Sequence, residues 1–139
     1  MQEVKKIENG IIIDHICAGK GLELYSLLKL DSIDCPCIII KNIDSQKMGK
    51  KDMIKILDKT DINADIIGYF CPNITINIIQ NKNISKIFDV KPPKYIKNIV
   101  FCKNTNCITF AEPEIDHIFK LIDPQSRKYS CVYCERIRQ

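Results

Sequence analysis

No stretch of this 139-residue chain approaches the roughly 18–20 consecutive apolar residues that cross a bilayer, which sets membrane-spanning functions aside. The opening residues, Met1-Gln-Glu-Val-Lys-Lys, hold neither the apolar stretch nor the small-residue cleavage site of a secretory signal, so a cytoplasmic protein is expected. Charge of one sign is scarce too. The net charge of +4 divides into 13 Lys/Arg against 12 Asp/Glu in residues 1–93 and 8 against 5 in residues 94–139, without clustering. That reads as solvated surface rather than the concentrated basic footprint of a nucleic-acid binder. Internal repeats and low-complexity tracts are absent. So is any activated nucleophile or hydrolytic metal site, and the nearest thing to an acid–base pair, Asp14 with His15, stands without such company.

Cysteine, by contrast, is plentiful at 8 residues, and in a reducing compartment that number argues for thiols and metal rather than disulfides. Four of them form two pairs near the end of the chain: Cys102-Lys-Asn-Thr-Asn-Cys107, then 23 residues, then Cys131-Val-Tyr-Cys134. Each short spacing lets the backbone turn around one ion with both sulfurs facing it, and the intervening segment brings the second pair back to complete a tetrahedron. Zn²⁺ is the expected ion, with iron the alternative that sulfur ligation alone leaves open. Four thiolates leave no position for water, so such a site is structural. A piece of this size needs the staple, because its apolar core is too small to hold it together. Structural zinc contributes roughly 10–16 kcal/mol of apparent binding free energy to folding in finger peptides. Cys17, Cys35, Cys37 and Cys71 lack such pairing and read as small buried hydrophobes, with redox chemistry at Cys35-Pro36-Cys37 as the alternative.

The first ninety residues alternate between strand-like and helix-like patterns. Strands are expected at 11–16, 37–40 and 52–57, and helices at 22–30 and 62–70, the second capped by Thr60 or Asp61. A hairpin follows over 75–79 and 83–87, turning at Gln80-Asn81-Lys82. The order βαββαβ with an extra strand predicts an α+β fold: a ferredoxin-like antiparallel sheet with two helices on one face. Asp89-Val-Lys-Pro-Pro93 resembles a linker, since two prolines resist helix and ladder alike. The expected domains are therefore 1–91 and 92–139, the second a small all-β zinc-binding domain with strands at 115–122 and 128–132. Its aromatics Phe101, Phe110 and Tyr133 suit a small core.

With both halves read, the chain resembles the regulatory subunit of aspartate carbamoyltransferase nearly end to end. The likeness rests on Gly10-Ile-Ile-Ile-Asp14-His15-Ile16, Met48-Gly-Lys-Lys51-Asp52-Met-Ile-Lys55-Ile56, Thr75-Ile-Asn77, Cys102-x₄-Cys107-Ile-Thr and Cys131-x-Tyr-Cys134, in that order and spacing. The resemblance implies a non-catalytic chain of pyrimidine biosynthesis whose first domain binds CTP and ATP as allosteric effectors. Regulatory chains of that family pair as homodimers through their N-terminal sheets, and their zinc domains dock on the catalytic chain to bridge two catalytic trimers.

Carried onto this chain, the resemblance gives a nucleotide site. Asp14 bonds a ribose hydroxyl, His15 and Lys51 approach the phosphates, and Lys55 contacts the ribose. Backbone groups near Ile7 and Ile79 read the base, and Asn77 is a further polar candidate. Read alone, Asp14 and His15 are neighbours on a strand whose side chains point to opposite faces. One departure stands out: where the family usually carries a phosphate-binding lysine, this chain has Ile87, with Lys86 one residue earlier. An offset of one turns a strand side chain over, so Lys86 reaches the site only through a bulge, and Lys82 is a substitute. The competing reading is a zinc-ribbon nucleic-acid-binding protein, which needs a basic surface with stacking aromatics near the knuckles.

Overall fold

The computed structural model describes residues 8–138, so Ile7 lies outside the described residues. The chain divides into two units, the first ending at Val90 and the second beginning at Lys91.

In the first unit β1 (Gly10–Cys17), β2 (Cys37–Ser45), β3 (Gly49–Leu57), β4 (Thr75–Gln80) and β5 (Asn83–Asp89) form one antiparallel sheet in the order β2–β3–β1–β4–β5. Helices α1 (Gly21–Leu27) and α2 (Ala64–Phe70) complete the ferredoxin-like order. Strict alternation along β3 shows how the sheet acquires its two faces. Asp52, Ile54 and Ile56 are fully buried, while Lys51, Met53, Lys55 and Leu57 between them are half-buried. Ile54 and Ile56 join Ile11, Ile13 and Ile76 in one core with Leu24 of α1 and Ile67 of α2, so both helices cover the same face. Each fully buried Ile or Leu there contributes about 1.5–3 kcal/mol of transfer free energy.

Three boundaries differ from the sequence expectation. Helix α1 stops at Leu27, and Lys29, with φ of 56°, turns the chain into a separate 3-10 turn at Leu30–Ser32. Strands β2 and β3 run longer than expected because pairing resumes after the bulge at Lys41 and Asn42, with Ile43, Asp44 and Ser45 opposite Lys51, Lys50 and Gly49, a stretch whose polarity hides a strand. The cap of α2 is Asn63, not Thr60 or Asp61: its Oδ1 accepts from the N–H groups of Asp65 and Ile66 at 3.1 and 3.3 Å. This satisfies two of the donors that a helix start leaves free.

Cysteines bring a fourth correction. Cys17, at the end of β1, and Cys71, just after α2, are joined in a disulfide, against the expectation of thiols throughout. A separation of 54 residues gave no spacing cue to that pairing. Cys35 and Cys37 are free. Burial first, then the neighbouring Cys35, pushes the Cys37 thiol up, the opposite of what a reactive thiolate needs.

Two β-bulges flank Asp52. In β1 the register with β3 shifts between Ile13 and Ile16, and in β2 it shifts between Ile40 and Ile43. The Asp52 carboxylate is fully buried and accepts from three backbone donors: Asn42 N–H at 2.8 Å, Gly19 N–H at 3.1 Å and Gly21 N–H at 2.8 Å. Gly21 is required by this approach, since a Cβ there would lie 2.9 Å from Asp52 Oδ2.

The second unit is a small sheet of β6 (Tyr95–Lys97), β7 (Ile118–Asp123), β8 (Lys128–Cys131) and β9 (Ile137–Arg138), in chain order and antiparallel. Strands β6 and β9, of 3 and 2 residues, are too short to leave a sequence pattern, and one helical turn, α3 (Ile108–Ala111), follows Cys107. Its apolar interior is Ile96, Val100, Phe119 and Tyr129, with Cys107 and Cys131 beside them. Tyr129 donates its hydroxyl to the Pro93 carbonyl at 2.6 Å. The aromatic core expected from Phe101, Phe110 and Tyr133 does not form: these are 56, 60 and 45% exposed.

Removing the Asp52 carboxylate strands three buried N–H donors, each worth about 1–3 kcal/mol when unsatisfied. Asp52→Ala is therefore expected to lower the stability of the first unit by at least about 3 kcal/mol. Asp44, 92% exposed in its pair with Lys50, serves as the control, and Asp44→Ala should cost less than about 0.5 kcal/mol. Urea unfolding followed by circular dichroism checks both, and equal midpoints for the two variants would contradict the role given to Asp52.

Candidate functional site

Cys102, Cys107, Cys131 and Cys134 come together as the spacing predicts, all four Sγ atoms within 4.8 Å of one another. A tetrahedron with metal–sulfur bonds of about 2.3 Å has edges of about 3.8 Å. The Cys102–Cys134 and Cys107–Cys131 sulfurs stand 3.6 and 3.8 Å apart, so the donor set fits one divalent ion. Local structure holds each ligand. An Asx turn, Asn106 N–H to Asn104 Oδ1 at 3.1 Å, precedes Cys107, whose own N–H bonds Asn104 O at 3.0 Å. Cys131 ends β8, and the Glu135 N–H to Cys131 O bond at 2.8 Å closes the second knuckle.

The thiols differ in acidity. Burial, ahead of the hydrogen bond with Cys134, pushes Cys102 up to about 12. At Cys134 burial also pushes upward, but the Arg136 backbone, the Asn104 side chain and the neighbouring thiols together bring it down to about 6. Thr109, which donates its hydroxyl to Cys107 Sγ at 3.1 Å, holds Cys107 below the ordinary thiol range. Burial raises Cys131. A metal binds all four sulfurs as thiolates, so its arrival expels whatever protons they carry.

In the first unit the sheet face away from the helices carries the remaining candidates, arranged in rows across the strands. Opposed residues of an antiparallel pair share a face. One row is apolar: Leu57, Gly10, Ile79 and Ile84. The next is mixed: Ile38, Lys55, Ile12, Asn77 and Ile87. Beyond it lie Asp14, Thr75 and Asp89, with Lys51 alongside. Lys55 and Lys51 are four residues apart on β3, about 13 Å at a strand's rise, so the face grades from apolar to ionic over that distance.

Asp14 and His15 do not point apart. They occupy the bulge of β1, with His15 at φ of 61° in the left-handed region, and the kink brings the two side chains together. His15 Nδ1 lies 4.0 Å from Asp14 Oδ2, and the His15 N–H donates to Asp14 Oδ1 at 2.7 Å. Lys51 Nζ pairs with Asp14 Oδ1 at 2.8 Å, the two side chains only 14 and 17% exposed. Thr75 Oγ1 lies 3.2 Å from His15 Nδ1 and donates to Asp89 Oδ1 at 3.1 Å.

Asp14, His15, Lys51, Lys55, Asn77 and Ile79 thus share one face, and Lys86 does not join them. Lys86 is opposite Ile78 and its Nζ sits 4.9 Å over the Phe88 ring, on the side the helices cover. The bulge of β5 falls between Ile84 and Lys86, beyond Lys86, and leaves it turned away. Ile87 stands opposite Asn77 instead. Thr75, part of the Thr75-Ile-Asn77 likeness but given no role in the site, and Asp89, expected to open the linker but paired with Thr75 in β5, lie on the same face, and the two-residue spacing from Asn77 to Thr75 and from Ile87 to Asp89 carries the signal.

Comparison with known proteins places both halves. Residues 2–91 match the family described as aspartate carbamoyltransferase regulatory chain, allosteric domain, and residues 94–139 match the metal binding domain of the same chain. The chain belongs to the aspartate carbamoyltransferase regulatory chain family. It is 41% identical to the regulatory chain of Clostridium acetobutylicum over 137 residues, covering 99% of this chain and 94% of that one. The regulatory chain of Clostridium tetani is 40% identical over 138 residues, 99 and 96% of the two chains, and that of Bifidobacterium longum 37% identical over 133 residues, 96% of each.

As a regulatory chain it is a non-catalytic subunit. The five-stranded sheet lies in the allosteric part and the four-cysteine cluster in the metal-binding part. No helix among the described residues is long and apolar enough to cross a membrane.

The Thr109 hydroxyl makes an outer-sphere contact with the cysteine cluster of this regulatory chain. Thr109→Val keeps the shape of a residue only 3% exposed but removes the donor to Cys107. Metal affinity should fall about tenfold, the lower end of what second-shell losses cost. Competition with a chromogenic chelator measures it, and an unchanged constant would remove Thr109 from the site.

Proposed function

We propose that this chain binds CTP and ATP in its first unit as allosteric effectors of aspartate carbamoyltransferase, and holds catalytic trimers together through a structural Zn²⁺ site in its second. The observation that carries the effector reading is the graded sheet face. Leu57, Ile79 and Ile84 offer an apolar bed for a base, Lys55 and Asn77 stand at mid-length for a sugar, and Lys51 with His15 closes the ionic end. A triphosphate carries about four negative charges, and ammonium and imidazole groups give it charge-assisted hydrogen bonds. An apolar bed beside backbone groups does not demand one base, which suits a site taking both a purine and a pyrimidine nucleotide. Lys86 has no part in this face, and Ile7, outside the described residues, is assigned to the base by family likeness alone.

Zinc is favoured over iron by the closed four-sulfur set in a small module, where a redox-silent ion without geometric preference serves a purely structural purpose. The docking surface is supported by the exposed apolar residues near the knuckles: Phe101, Ile108, Phe110, Val132 and Tyr133 are each 39–60% exposed. A patch of that kind marks an interaction site. Its apolar character also favours a protein partner over nucleic acid, for which the charge excess is thin. Pairing of regulatory chains through their N-terminal sheets, and residence in the cytoplasm with the rest of pyrimidine biosynthesis, complete the proposal.

In the complex reconstituted with its catalytic chain, saturating CTP or ATP should change aspartate affinity about 5–150-fold, the range of coupling free energies of 1–3 kcal/mol. Lys55→Ala should weaken that response at least tenfold in nucleotide concentration, since it removes one charge-assisted contact of about 1.5–3 kcal/mol. No response to either nucleotide in the wild-type complex would end the effector reading.

The metal has its own test. Elemental analysis should find one zinc per chain, and Cys131→Ser should lose it and release free catalytic trimers in sedimentation. A metal-free complex that stays whole would end the docking role.

A further inference from the structure

Phosphate-binding pockets normally surround a polyanion with cations, and the ionic end of this face is poor in them. Lys51 is already paired with Asp14 at 2.8 Å. Ile87 puts an apolar side chain on the face, and Lys86 is held on the other side over Phe88. Asp89 then adds a second carboxylate in the row of Asp14 and Thr75. It is exposed, accepts one hydrogen bond from Thr75 Oγ1 at 3.1 Å, and among the described residues no lysine or arginine is ion-paired with it. Among the described residues, the charged groups at the phosphate end are thus Lys51 and His15 against Asp14 and Asp89, with Lys55 farther along at the sugar.

We propose that Asp89 is the specificity-determining residue for effector charge: it penalises each added phosphate, so that affinity rises little from nucleoside monophosphate to triphosphate. The inference rests on the nucleotide reading of the first unit. Coulomb repulsion between Asp89 and a phosphate chain lying along its row grows with the charge on that chain and leaves the base and sugar untouched. Because Asp89 is on the edge strand and exposed, the charge can be changed without disturbing the core. Asp89→Asn keeps an oxygen to accept from Thr75 and removes only the charge.

Calorimetric titration of the zinc-loaded full chain with cytidine, CMP, CDP and CTP, in buffer free of divalent cations, tests this. In the wild type the gain from CMP to CTP should stay below about tenfold, and in Asp89→Asn that gain should steepen by about tenfold while cytidine binds equally to both. At 0.5 M KCl the two series should converge, because screening at that salt acts over a few ångströms. A CMP-to-CTP ratio that is the same in wild type and variant, or a difference that survives high salt, overturns the role of Asp89 and leaves the nucleotide site standing. Failure of every member of the series to bind either protein overturns the nucleotide reading and this assignment together.

Discussion

The buried carboxylate of Asp52 gathers three backbone N–H groups, from Gly19, Gly21 and Asn42, that the turn after β1 and the bulge of β2 leave outside the ladder. Much of the first unit is arranged around this contact. It fixes where α1 begins, and it sits opposite Ile16, the residue at which β1 regains register after its own bulge. That bulge is what turns Asp14 and His15 toward each other. The next residue on β3, Lys51, points to the other face and pairs with Asp14. One strand therefore anchors the core with Asp52 and supplies the ionic end of the opposite sheet face with Lys51, through nothing more than strand alternation.

The same alternation decides how much could be read in advance. Runs such as Ile11-Ile-Ile and Met53-Ile-Lys-Ile-Leu57 announce strands, and the order of elements follows from them. Bulges do not announce themselves. Asp14 and His15 look like strand neighbours on opposite faces until the register shift is seen, and the bulge in β5 bears on Lys86 in a way that only pairing resolves. Capping was misplaced by two or three residues because Thr60, Asp61 and Asn63 are all competent caps, and only geometry selects Asn63. Cys17 and Cys71 meet because two elements far apart in the chain end at one place, which no local spacing encodes. The cluster of Cys102, Cys107, Cys131 and Cys134 was legible for the opposite reason: a tetrahedral ion imposes short spacings that survive in the sequence.

The exposure of three aromatics in the second unit has a physical cause. A module of this size ordinarily needs a core, and Phe101, Phe110 and Tyr133 are the aromatics that would fill it. With four sulfurs drawn to within 4.8 Å of one another, that need is met by coordination, and Ile96, Phe119 and Tyr129 suffice for the rest. The other aromatics are then left to the surface. A metal in place of a core thus frees large apolar side chains for contact with a partner, which an ordinary small domain could not spare.

The two units represent different answers to the question of what may vary. A closed four-sulfur set tolerates no loss of a ligand, since each loss opens the coordination sphere. The sheet face is built from partial compensations: Lys51 against Asp14, His15 against Thr75, Asp89 against little. On the proposed nucleotide reading, changing one such charge shifts affinity by a modest factor without unfolding anything. A regulatory ligand moves a quaternary equilibrium only by the difference between its affinities for the two states. A face whose charges are incompletely matched can adjust that difference in small steps, and the presence of Ile87 and Asp89 on β5 of this regulatory chain is the kind of step such a face permits.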